Sequence, residues 1–143
     1  MKGFGNKDKN KKVSIENKVK PLQQDQLITR AFSLHSSGKI KEALEIYSFL
    51  IKNKVDDPRI FINLGSIYYQ LKQFDKAIFL FDESIKKFPN SLEAYPNLAS
   101  VLVIKGKRDI AKKILIKAIE LNPNFLKPYS SLASIYVGEG YFE

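Results

Sequence analysis

The chain has 143 residues and a mass of 16.4 kDa, enough for one domain or one short array of repeats and too little for a large catalytic fold. With 44% hydrophobic and 27% charged residues it can build a packed core, while the absence of Cys and the presence of one histidine, His35, remove disulfides, thiolate metal sites, cysteine nucleophiles and histidine clusters. The net charge of +9 is concentrated at the start, where residues 1–23 carry seven lysines against Asp8 and Glu16. Phe4, Val13, Ile15 and Val19 are almost the only apolar residues of that lead, which predicts a basic, disordered tail with neither a secretory core nor a bilayer-spanning stretch. A cytoplasmic protein with no cofactor and no membrane insertion is the expectation.

Beyond the tail the apolar residues recur at helical spacing, as in Phe61, Leu64, Ile67, Tyr68 and Leu71, and then Phe74, Ala77, Ile78, Phe81 and Ile85. In chain order this predicts helices near 24–36 and 40–52, with Gly38 between them, and near 59–71 and 74–87, closed by Phe88-Pro89-Asn90. Two more follow near 93–105 and 108–121, with Gly106 between them and Leu121-Asn122-Pro123-Asn124 at the end, and a last one near 126–138. Pro96 falls within the first turn of its helix, where a missing N–H is tolerated. A shift of 34 residues superposes Ala43, Ala77 and Ala111; Tyr47, Phe81 and Leu115; Phe61, Tyr95 and Tyr129; Leu64, Leu98 and Leu132; and Ser66, Ser100 and Ser134. The repeating units are therefore 24–57, 58–91 and 92–125, with a partial unit at 126–143, and the fold class is all-α.

Phe61-x-x-Leu64-Gly65-x-x-Tyr68, then Ala77-x-x-x-Phe81, then Pro89, resembles the tetratricopeptide repeat (TPR) signature, with Phe61 where Trp is commonest. The third unit keeps it as Tyr95, Leu98, Ala99, Leu102, Ala111, Leu115, Ala118 and Pro123. The first is degenerate, with Arg30 in the Leu position and Val55 in place of Pro. The resemblance implies an α-solenoid of about three and a half helix-turn-helix repeats over residues 24–143, wound as a right-handed superhelix, and a concave groove lined by the first helix of each pair. In this family that groove binds peptides, so the resemblance implies a non-catalytic scaffold for protein–protein interaction. The groove residues it points to are Arg59, Asn63, Ser66, Tyr69, Asn97, Ser100, Lys127 and Ser131. Asn63 and Asn97 stand one repeat apart, where an asparagine ladder holds a peptide backbone in some arrays, each amide offering donors and an acceptor. The carboxylate clamp of TPR co-chaperones is not expected: Asn97 and Lys127 fit its pattern, but Ile62, Ser66 and Ser131 do not, and an anion would lose most of its charge-assisted bonds.

Other readings carry less. The aromatic stripe of Phe61, Tyr68, Tyr95, Tyr129 and Tyr136 is expected in the core, His35 has no partner for chemistry, and Gly3-Phe4-Gly5 lacks the spacing of a phosphate loop. An RNA-associated adaptor acting through the basic tail is the alternative, although without interleaved aromatics a nucleic-acid partner is not expected. A second alternative, an interaction module preceding a transferase domain, is implied by the likeness to bacterial TPR arrays with a Lys-rich lead. The last helix has few charges, unlike a polar capping helix. A homodimer or aggregation through Leu132, Ile135, Tyr136, Tyr141 and Phe142 is therefore expected.

Overall fold

A computed structural model describes residues 19–140; residues 1–18 and 141–143, and with them most of the basic tail, Tyr141 and Phe142, lie outside the described residues. The described chain forms seven helices and no strand: α1 (Pro21–Ser36), α2 (Ile40–Lys52), α3 (Pro58–Gln70), α4 (Phe74–Lys87), α5 (Ala94–Ile104), α6 (Arg108–Leu121) and α7 (Lys127–Gly138). These follow the predicted spans to within a few residues. The largest difference is at α1, which starts at Pro21 rather than 24 because proline suits the first helical turn and Val19, just before it, is buried in the core. Helix α1 thus begins three residues inside the segment read as tail.

Successive helices form antiparallel hairpins, α1/α2, α3/α4 and α5/α6, while α7 stands alone among the described residues. Each odd-numbered helix from α3 onward also packs on the even one before it, and α1, α3, α5 and α7 touch in sequence along one side. The result is an α-solenoid whose inner surface is built from the odd helices. Its core falls into two apolar clusters, one uniting α1, α2 and α3, the other running from α4 through α5 and α6 to Ile135 of α7. Small residues set the helix separation. Ala43, Ala77 and Ala111 are fully buried, and at Gly65 a Cβ would come within 2.6 Å of the Phe81 ring.

The bend inside each hairpin has one geometry. Position 38 and its equivalents at 72, 106 and 140 are Gly, Lys, Gly and Gly, and all four have positive φ, between 57° and 80°. In the first three the following N–H closes on the carbonyl five residues back, as in Lys39 N to Leu34 O (2.9 Å), Gln73 N to Tyr68 O (2.9 Å) and Lys107 N to Leu102 O (2.8 Å). This double-bonded helix end needs a left-handed residue, which glycine supplies without a Cβ penalty. Lys72 is the exception, so Lys72→Gly is expected to raise the stability by about 0.5–1 kcal/mol, read as a higher urea midpoint at unchanged slope. A lower midpoint would contradict it.

The hairpins are tied together at equivalent places. Tyr95 donates to the Pro89 carbonyl (2.9 Å) and Tyr129 to that of Pro123 (3.1 Å), so the aromatic that opens a unit grips the loop leading into it. Asp57 caps α3 by accepting from the Arg59 N–H at 2.9 Å. Among the described residues the buried hydroxyl of Ser84 has no hydrogen-bond partner, and that of Tyr47 has none within 3.5 Å, Asn63 being its nearest polar neighbour.

Candidate functional site

The side chains expected along the groove come from α3, α5 and α7, because residues three, four and seven apart on these helices share the face turned away from the even helices. They gather into neighbouring hollows. Ser66, Tyr69, Asn97 and Ser100, with Phe81 behind them, line one of about 120 Å³. Tyr69 and Ser100 are shared with a larger one of about 330 Å³, where α5 contributes Ala99, Val103 and Ile104 and α7 contributes Ser131, Ser134, Ile135 and Gly138, with Arg108 at its edge. Arg59 and Asn63 stand with Ile28, Thr29 and Phe32 around a third, at the α1 end of the same surface. Seven of the eight expected groove residues therefore meet in these hollows.

The eighth, Lys127, is held by Glu93 at 3.5 Å. It belongs to a register that pairwise reading of the sequence missed: Asp25, Arg59, Glu93 and Lys127 occupy one position in four successive units and alternate in sign. Arg59 bonds Asp25, one repeat back (2.8 Å), and Asp57, the cap of its own helix (2.7 Å). Burial opposes the charge of Asp57, but the bonds from Arg59 prevail and hold its carboxyl below the usual range. Asp57 first and Asp25 second push the Arg59 guanidinium further up. Both cations of the ladder are thus engaged, and exposed pairs of this kind add little stability while fixing side-chain positions. The 34-residue shift would have exposed the ladder had charged positions been tracked as well as apolar ones.

The serines are oriented as acceptors. Ser66 Oγ donates to Ile62 O (2.9 Å), Ser100 Oγ to Pro96 O (2.9 Å), Ser131 Oγ to Lys127 O (3.1 Å) and Ser134 Oγ to Ser130 O (3.1 Å). With its proton directed back into the helix, each hydroxyl presents lone pairs to a ligand N–H. Val103, Ile104, Ala99 and Tyr69 make the larger hollow predominantly apolar. The two asparagines differ: Asn63 lies close to the buried Tyr47 hydroxyl, whose pKa burial raises and Asn63 and Arg59 partly lower again, whereas Asn97 lines the smaller hollow.

His35 hydrogen-bonds Gln70 at 3.0 Å on an exposed surface, and no group of three metal-ligating side chains occurs among the described residues. No described helix is long and apolar enough to cross a membrane. Of the residues expected to mediate self-association, Ile135 is buried in the core against α5 and α6, because its side of α7 faces inward, while Leu132 and Tyr136 are half-buried. Ile28, which borders the third hollow, is likewise almost wholly buried.

A solenoid of 34-residue helical hairpins with a continuous inner surface defines a repeat scaffold, and models of the tetratricopeptide repeat match residues 25–52, 58–91 and 92–125. The chain belongs to the tetratricopeptide repeat family. It is 34% identical over 104 residues to the BBSome complex member BBS4 of Bos taurus, a match covering 73% of this chain and a fifth (20%) of that protein. Among solved structures it resembles the Yersinia enterocolitica type III secretion chaperone SycD in complex with a peptide of the translocator YopD, with 25% identity, a TM-score of 0.75 and coverage of 86% of this chain and 99% of the other. It shares its fold with the first TPR of Spaghetti (RPAP3) bound to the HSP90 peptide SRMEEVD, at 22% identity and a TM-score of 0.75, covering 87% of this chain and 98% of that one.

Proposed function

We propose that this chain is a non-catalytic scaffold that holds an extended segment of a partner protein along the inner surface of α3, α5 and α7. The observation that carries this reading is the pair of adjoining hollows sharing Tyr69 and Ser100, apolar on the floor and edged by hydroxyls and the Asn97 amide. An apolar side chain of the ligand enters the larger hollow, burying surface at roughly 25 cal/mol per Å². Backbone N–H groups on either side donate to Ser100, Ser131 and Ser134, and Asn97 answers both a carbonyl and an N–H. SycD, at 25% identity, is a chaperone crystallised with a translocator peptide, which favours a peptide ligand here too. A C-terminal carboxylate is disfavoured, because Lys127 is occupied by Glu93 and Arg59 by two aspartates.

The test uses peptides selected by phage display on the immobilised 143-residue chain and titrated by calorimetry. Asn97→Ala removes side-chain hydrogen bonds of about 0.5–1.5 kcal/mol each, so affinity should fall up to roughly tenfold while the thermal melt stays in place. Ser100→Trp, which fills the shared wall, should abolish binding. Peptides that bind with undiminished affinity to both variants would refute the groove as the site.

A further inference from the structure

The outward stripe of α7 is unpartnered in the described structure, and its composition says what fits it. Each of α3 and α5 is gripped by two even-numbered helices, the one before it and its own; α7 has only α6. The consequence shows in the repeated positions. Tyr95 and Ala99 are 1% exposed, whereas Tyr129, 34 residues later, is 43% exposed and Ala133 is open to solvent. Leu126 (74%) and Val137 (61%) extend the same stripe at helical spacing, so Leu126, Tyr129, Ala133 and Val137 form one apolar ridge.

We propose that this ridge pairs with the same ridge of a second copy of the chain, antiparallel, with Ala133 at the two-fold axis. In that register Ala133 lies against Ala133 of the second copy, Tyr129 is level with Val137, and Leu126 is level with Gly140. Large residues thus meet smaller ones on either side of the axis, and at the axis two alanines let the backbones approach most closely. An antiparallel pair also opposes the two helix dipoles and brings the Lys127 end of one α7 level with the Glu139 end of the other. Among the described residues both charges at the ends of α7 are engaged, despite the net charge of +9: Glu139 is bonded by Lys112 at 3.1 Å, that ammonium stands 5.6 Å from the Tyr136 ring centre, and Lys127 is paired with Glu93 at 3.5 Å. A charged helix from another protein would find no counter-charge on the ridge, whereas a second α7 presents the same neutral, tapered surface.

The experiment is sedimentation velocity on the 143-residue protein at micromolar concentrations, with Ala133→Glu and Ala133→Lys alone and mixed in equal amounts. Ala133 is exposed, so both variants fold, as circular dichroism will verify. The wild type is expected to be a dimer, and each variant alone is expected to dissociate at least about 100-fold more readily, because like charges meet at the axis. The mixture is expected to recover the dimer, because Glu then faces Lys. A monomeric wild type, association indifferent to Ala133→Glu, or a mixture that stays monomeric would each overturn the proposal, the last by removing Ala133 from the axis. Peptide binding in the groove is not among these readouts, so the two proposals stand or fall separately.

Discussion

Gly65→Leu is expected to destabilise the array by about 3 kcal/mol, lowering its melting temperature by roughly 10 °C. A Cβ at this position already comes within 2.6 Å of Cε1, 2.9 Å of Cδ1 and 3.0 Å of Cζ of Phe81, a ring that is 1% exposed. The ring is almost wholly buried, so a full leucine must displace it or force α3 and α4 apart. Replacing glycine inside a helix would by itself gain up to about 1 kcal/mol, which makes a net loss a sensitive sign of the contact. The third unit shows an accommodation: Ala99 stands where Gly65 does, and Leu115 replaces Phe81. Gly65→Ala combined with Phe81→Leu recreates that pair and should be less destabilised than the sum of the two single changes, in a double-mutant cycle followed by urea denaturation. Strict additivity would mean that the two residues do not share the constraint.

Tyr95→Ala and Tyr129→Ala, the same change one repeat apart, are expected to differ severalfold in effect. Tyr95 is 1% exposed and donates to Pro89 O, so its truncation leaves a large cavity and takes away that carbonyl's partner, at about 3–5 kcal/mol. Tyr129 makes the equivalent bond to Pro123 O but is 43% exposed, and its loss should cost about 1 kcal/mol or less in the folding of the single chain. Chemical denaturation at low protein concentration separates the two. If the two losses prove equal, the end of the solenoid is as well covered as its middle.

Much of this architecture was legible from periodicity. The 34-residue recurrence of Ala43, Ala77 and Ala111 located the hairpins, Gly38 and Gly106 located the bends, and the spacing on α3 and α5 assembled Ser66, Tyr69, Asn97 and Ser100 on one surface. These are local properties: helical period, capping chemistry and the need for a left-handed residue are set by neighbours within about five positions. Lys72 adopts the same bend as the glycines around it, which shows the repeat imposing a conformation that the residue itself disfavours.

Only the assembled solenoid decided which members of a repeated position are covered. Tyr95 and Tyr129 obey the same pattern, yet one is buried between two even-numbered helices and the other meets only one. Ile135 turned inward because α5 and α6 lie on that side, and Lys127 is paired with Glu93, a residue 34 positions away. Burial depends on what a neighbouring unit places opposite a side chain, a distance in space that spacing along the chain does not encode. Periodicity therefore determined the helices, their bends and the family of this protein, while stacking determined its exposed ridge, its engaged charges and the shape of the hollows in its groove.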